Sequence, residues 1–204
     1  MPQKARLRIH GYGSVELKYT TEYLVDLEHA YESIFHFESL LDDARRIPRY
    51  LKPWDFFDLT VWPERIIRGG RSDTVRVNIP HSEQLILART QLNSPGFWEF
   101  LGALNPLEVI RQYLNDRHER RKDKDYRESA EERRLILENL KLENEVMSER
   151  VRLARDLGAT NSDLALMWDQ LIYQPLRALD RHQDRGVIDG AEITVVDEDD
   201  KASE

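Results

Sequence analysis

The stretch KARLRIHGYGSVELKY, residues 4–19, decides the fold class of this chain. Its apolar side chains recur with a period of two, which is the pattern of a half-buried β-strand. The residues that share this parity are Leu7, Ile9, Val15, Leu17 and Tyr19. Gly11 and Gly13 interrupt the alternation. The pattern therefore predicts either a hairpin that turns at residues 10–13, which we favour, or one long bent strand.

A helical period follows from Thr20 to about Arg46, and Thr20 or Thr21 can cap its first turn. Its apolar stripe consists of Leu24, Leu27, Tyr31, Ile34, Phe35 and Leu41. The residue before a proline is steered out of the α region, so the helix should end at Ile47-Pro48. Further strands are predicted at residues 58–62, 75–79 and 83–92. Residues 1–96 should thus form an α+β sandwich domain, a small antiparallel sheet with a long helix packed on one face.

Residues 97–157 are predicted to form one long helix after the breaker at residues 93–96. Apolar side chains from Phe97 to Leu114 lie near one face, and Asn105-Pro106 indicates either a restart of the helix or a kink. Residues 115–134 are nearly all charged and would stay helical mainly through ion pairs four residues apart. A heptad pattern follows and predicts a short coiled-coil seam between copies of the chain. The seam residues are Leu137, Leu140, Asn144, Met147, Val151 and Ala154.

Residues 158–190 are predicted to complete a helical hairpin with the preceding helix. Gly158 should end the long helix, Asn161 or Ser162 should cap the next one, and Pro175 should bend it. Residues 191–204 then combine a short edge strand, AEITVV, with an acidic tail, DEDDKASE.

Composition excludes several classes of protein. The chain has 204 residues, no cysteine and a net charge of -8, which rules out disulfide scaffolds and thiolate metal sites and argues against general binding to nucleic acid. It contains no apolar run of about 20 residues and no apolar leader, so a cytoplasmic location is expected. The acidity is concentrated in residues 128–204, with 10 Lys and Arg against 19 Asp and Glu; residues 1–127 carry 20 against 19.

The locally basic stretch RHERRKDKDYR, residues 117–127, offers an alternative function. Its cations could contact the phosphates of a nucleic acid or of an anionic membrane surface. The candidate contacts are Arg117, Arg120, Arg121, Lys122 and Lys124. The interleaved acids favour instead a solvated helix held by ion pairs.

Catalytic chemistry finds no support in the sequence, and we expect no enzyme, cofactor or metal. His29, Glu32 and His36 would share one side of the first helix and could contribute zinc or iron ligands, but no second cluster completes the set. Gly11-Tyr12-Gly13-Ser14 lacks the third glycine and the lysine of a phosphate-binding loop.

The run LNSPGFWEFLGALNPLEVIRQYLNDRHERRKDKDYR resembles a group of uncharacterised bacterial proteins in which an SPG turn leads into an NPLE-type helix and a charged helix. The preceding order of strands, long helix and strands is similar to adaptor domains of the TRADD amino-terminal type. This resemblance implies a bridging role without catalysis in a bacterial signalling or immunity-like system. Together the patterns predict a protein-protein interaction module that self-associates or binds a protein partner.

Overall fold

The structure is a computed structural model, and it describes residues 3–11, 15–48, 79–91, 93, 95–122 and 145–196. Within these ranges, four strands form a sheet in the order β2-β3-β1-β4, and every neighbouring pair is antiparallel. The strands are β1 (Lys4–Gly11), β2 (Ile86–Gln91), β3 (Gly96–Ala103) and β4 (Ile188–Val195). The α+β class is confirmed, and so is the predicted strand near the C-terminus.

The helices are α1 (Leu17–Arg46), α2 (Leu104–Lys122), α3 (Glu145–Asp156), α4 (Asn161–Met167), α5 (Gln174–Ala178) and α6 (Asp180–Asp184). A 3-10 turn, His81–Glu83, precedes β2, and a π-helical segment, Trp168–Tyr173, joins α4 to α5. Strands β1 and β2 are linked through α1, while β3 lies between them in the sheet. This connectivity is the split β-α-β arrangement. It leaves one face of the sheet for the helices.

The core lies between that face and the helices. Leu7 and Ile9 of β1 are completely buried, as are Leu27 and Ile34 of α1 and Ile110 of α2. Apolar residues from α3 to β4 belong to the same cluster. One continuous core joins residues from both sides of the predicted boundary at residue 96. The boundary falls at the first residue of β3, which pairs with β2.

The predicted hairpin at residues 10–13 is wrong. Strand β1 ends at Gly11 and helix α1 begins at Leu17, so the residues assigned to a second strand are helical. Leu17 is 80% exposed, and the Oγ1 atom of Thr21 donates to its carbonyl inside the first turn. The parity shared across the glycines was therefore fortuitous. The predicted end of the helix is confirmed, since α1 stops at Arg46, before Ile47-Pro48.

The predicted helix from Phe97 is also wrong in its first turns. Residues 96–103 form β3, which pairs with β1 and β2, and α2 begins only at Leu104. Pro106 therefore lies in the first turn of a helix, where its missing N–H costs nothing. Aromatic residues suit a strand, and tertiary pairing on both sides decides the outcome.

The chain is helical from Asn161 to Ala178 without a break, in agreement with the helix predicted over about residues 162–181. Gly158 has a φ of 102° after Leu157, which confirms it as the end of a helix. Thr160, rather than Asn161 or Ser162, caps α4 through a capping box with Asp163. The helix is irregular next to Pro175, as predicted: a π-helical segment directly precedes this proline, which lacks the N–H needed for a regular ladder. The strands predicted at residues 58–62 and 75–78 lie outside the described residues, although Ile79 is buried.

Candidate functional site

The face of the sheet turned away from the core carries charged side chains among aromatic and apolar ones. In β1 the side chains alternate, so Leu7 and Ile9 point into the core while Arg6 and Arg8 point outward. The same face holds Lys4 and His10 of β1, Ile86 and Arg89 of β2, Phe97, Glu99 and Leu101 of β3, and Glu192 and Thr194 of β4. We call this set, together with Arg6 and Arg8, the outer face of the sheet.

A buried carboxylate anchors two arginines on the outer face. The Nε and Nη2 atoms of Arg8 donate to the Oε2 atom of Glu99 at 3.1 and 2.8 Å, and the Nη1 atom of Arg6 lies 3.5 Å from Oε1. The Glu99 side chain is only 8% exposed, whereas both arginine side chains are 41% exposed. The guanidinium groups are therefore held in fixed positions while part of each stays accessible.

An aromatic ring lies next to these arginines. The guanidinium carbon of Arg8 is 4.5 Å from the centre of the Phe97 ring, and that of Arg89 is 5.5 Å away. A guanidinium over an aromatic face is attracted by the ring quadrupole. Arg8 and Arg89 come from the two strands that flank β3, so the ring joins three strands into one surface feature.

Strand β2 is an edge of the sheet within the part of the chain that the structure describes. All of its residues are exposed, and two of them are large and apolar, Ile86 at 46% and Leu87 at 42%. A bulge interrupts its pairing with β3 between Leu87 and Arg89. Exposed edge strands offer backbone N–H and C=O groups to a further strand.

A polar cluster in the interior joins α1 to α6. The Oδ2 atom of Asp26 lies 2.6 Å from the Nε2 atom of His182 and 2.5 Å from the Nη2 atom of Arg181. His182 is completely buried, and its ring meets the ring of Tyr23 edge to face. Burial alone would raise the pKa of Asp26, but hydrogen bonds from His182 and Arg181 lower it overall. The cluster stabilises the packing of the C-terminal helices.

Arg117, predicted to contact phosphate, is engaged inside the protein. Its Nε atom lies 2.6 Å from Asp180 and its Nη2 atom 2.9 Å from Asp184, so it joins α2 to α6. Tyr113 donates to the same Asp180 at 2.6 Å. Arg120, Arg121 and Lys122 continue α2, but their side chains lie outside the description, as does Lys124 altogether. The structure therefore places Arg117 in ion pairs within its own chain, and the other four phosphate contacts stay predictions.

The predicted seam is divided by the structure. Val151 and Ala154 of α3 are buried in the core of their own chain, so they have no surface left for a second copy. Leu137, Leu140 and Asn144 lie outside the described residues, and Met147 is helical with its side chain undescribed. Val151 and Ala154 therefore offer no surface to a second copy, and the remainder of the seam stays a prediction.

The positions of the described side chains do not support the metal hypothesis. In the ranges that the structure covers, no group of three or more His, Asp or Glu side chains is arranged to hold a metal ion. His29 is exposed, while burial lowers the pKa of His36 to about 4. The imidazole of His36 is therefore neutral in the folded protein at neutral pH.

His36 should make the fold sensitive to acid. Its pKa is lower in the folded state than the ordinary 6.5, so its contribution to stability is complete above pH 6.5 and is lost as the pH falls toward about 4. We expect His36→Leu to lose less stability than the wild type between neutral pH and pH about 4. Urea unfolding followed by circular dichroism at both pH values measures this; an equal loss in the two proteins would contradict it.

Comparison with protein-family models, curated proteins and solved structures gave no match for this chain. No helix in the described ranges is both long and apolar enough to cross a membrane. Sequence reasoning did not identify Phe97, Glu99 and Arg89 as surface neighbours because it assigned residues 97–103 to a helix. The alternation of β1 was the available signal, since it already places Arg6 and Arg8 on the face opposite Leu7 and Ile9.

Proposed function

We propose that the protein is a non-catalytic protein-interaction module that self-associates through the edge of its sheet at β2. One observation carries the proposal: every residue of β2 is exposed, including the apolar Ile86 and Leu87. A strand of this kind can pair with a strand of another molecule through its backbone, and the apolar side chains add buried area.

A second copy is the partner that fits this edge most simply. Antiparallel pairing of β2 with itself uses the same surface on both chains and therefore closes as a dimer. The bulge after Leu87 and the charge of Arg89 both shorten the stretch that can pair. We therefore expect a reversible dimer whose population depends on concentration.

We extend this proposal to a role in the cell, in which the dimer acts as an adaptor between other proteins. The resemblance of the chain to adaptor domains of the TRADD amino-terminal type supports a bridging function in a bacterial signalling system. We propose that it acts in the cytoplasm, where the dimer would bring two attached or bound partners together.

Charges placed on the edge should abolish the dimer. We expect Ile86→Lys combined with Leu87→Lys to leave only the 24.1 kDa monomer, because two ammonium groups oppose both burial and close approach of the strands. Val25→Lys is the matched control, since Val25 is 57% exposed on α1. Light scattering after size exclusion measures all three proteins. A dimer that survives the double substitution, or that Val25→Lys also removes, would contradict the assignment to β2.

A further inference from the structure

We propose that the outer face of the sheet is a binding site for single-stranded nucleic acid, with Phe97 and its flanking guanidinium groups as a stacking platform and the neighbouring cations as phosphate contacts. The site shares Ile86 and Arg89 with β2, at whose edge self-association is proposed, but its other members lie on β1, β3 and β4. It also differs from the basic stretch at residues 117–127, whose first cation, Arg117, is bound to Asp180 and Asp184.

The outer face is positive although the whole chain is acidic. Lys4, Arg6, Arg8 and Arg89 lie on it, and the carboxylate of Glu99 is buried beneath Arg6 and Arg8. The other acid, Glu192, has the Nε2 atom of His10 at 3.2 Å. Glu192 is 70% exposed, so a strand of phosphates meets this carboxylate as well as the guanidinium and ammonium groups, which outnumber it. The buried Glu99 fixes the two arginines before any ligand arrives, which reduces the entropy lost on binding.

The ring of Phe97 distinguishes a nucleic acid from an acidic peptide. Arginines bind carboxylates and phosphates alike. A planar base, however, can also stack on an aromatic ring or on a guanidinium plane, and such stacking accepts every base. Phe97 with Arg8 at 4.5 Å and Arg89 at 5.5 Å supplies both kinds of plane in one place.

The shape of the site favours a single strand over a duplex. Readout of duplex DNA needs a helix or a two-stranded ribbon that enters the major groove. The outer face is instead a surface made by adjacent strands, each about 4.8 Å from the next. An extended strand with unstacked bases can cross such a surface, with its phosphates near the arginines and a base against Phe97.

Fluorescence anisotropy with a labelled oligouridylate tests the proposal on the full chain. We expect binding at low salt that weakens as salt rises, with a slope of about -0.7 in log K against log salt for each phosphate contact. Phe97→Ala should weaken binding about tenfold without changing the slope, because it removes stacking and no charge. Arg89→Glu should weaken binding and reduce the slope. A duplex should bind less tightly than the single strand.

Arg152→Glu is the matched control, because Arg152 is exposed on α3 and the substitution changes the net charge equally. It should leave affinity nearly unchanged, while thermal melting and light scattering establish that each variant is folded and in the wild-type oligomeric state. Three results would overturn the proposal: absence of binding at low salt, equal weakening by Arg152→Glu and Arg89→Glu, or polyglutamate competition that is unaffected by Phe97→Ala. The last of these would assign the face to an acidic polypeptide.

Discussion

Asp26→Ala is expected to lower the free energy of unfolding by about 3 kcal/mol, because it leaves a buried imidazole and a neighbouring guanidinium without their acceptor. The Oδ2 atom of Asp26 is 2.6 Å from His182 Nε2 and 2.5 Å from Arg181 Nη2. His182 is completely buried, so water cannot replace the lost carboxylate without opening the packing of α1 against α6.

Asp42→Ala is the control for this experiment. Asp42 lies on the same helix and pairs with Arg45 at 3.3 Å, but both side chains are more than half exposed. An exposed pair of this kind contributes little, so its loss should change stability by no more than about 0.5 kcal/mol. Urea unfolding at neutral pH measures both variants. Equal stabilities for the two variants would show that the interior cluster does not hold α6 in place.

Gly102→Val is expected to lower the free energy of unfolding by a similar amount, about 3 kcal/mol, because β3 and α1 approach too closely for any side chain at this position. A Cβ atom at Gly102 would lie 2.9 Å from Tyr31 Cε2 and 3.0 Å from its hydroxyl oxygen. That hydroxyl donates to the Glu83 carbonyl at 2.7 Å and accepts from the Ala103 N–H at 2.8 Å. A displaced Tyr31 loses both bonds.

The double variant Gly102→Val with Tyr31→Leu separates this cause from general damage to the strand. If the clash with Tyr31 is responsible, Gly102→Val should lower the free energy of unfolding clearly less in the Tyr31→Leu background than in the wild type. Thermal melting of the four proteins of the cycle gives the coupling energy. Independent effects of the two substitutions would contradict the close approach of β3 and α1.

Local signals predicted the parts of the fold that depend on local chemistry. The proline after Ile47 ended α1, Gly158 ended α3, alternation identified β1, and the run AEITVV indicated the C-terminal strand. Local signals failed where pairing between distant strands decides the secondary structure. The run GFWEFLGA is apolar enough for either a buried helix or a strand, and only its pairing with β1 and β2 makes it β3.

The candidate sites were harder to predict for the same reason. Asp26 and His182 are 156 residues apart, and Arg8 and Glu99 are 91 residues apart, so the spacing of these residues in the sequence does not predict either contact. Alternation in β1 does predict that Arg6 and Arg8 face outward. Their ring and carboxylate partners follow only once the strand order is known.

The most direct test of the central proposal, self-association through β2, is light scattering of the wild-type chain across a dilution series. The proposal predicts a mass that rises from 24.1 kDa toward twice that value as concentration increases through the micromolar range. A mass of 24.1 kDa at every concentration would contradict it.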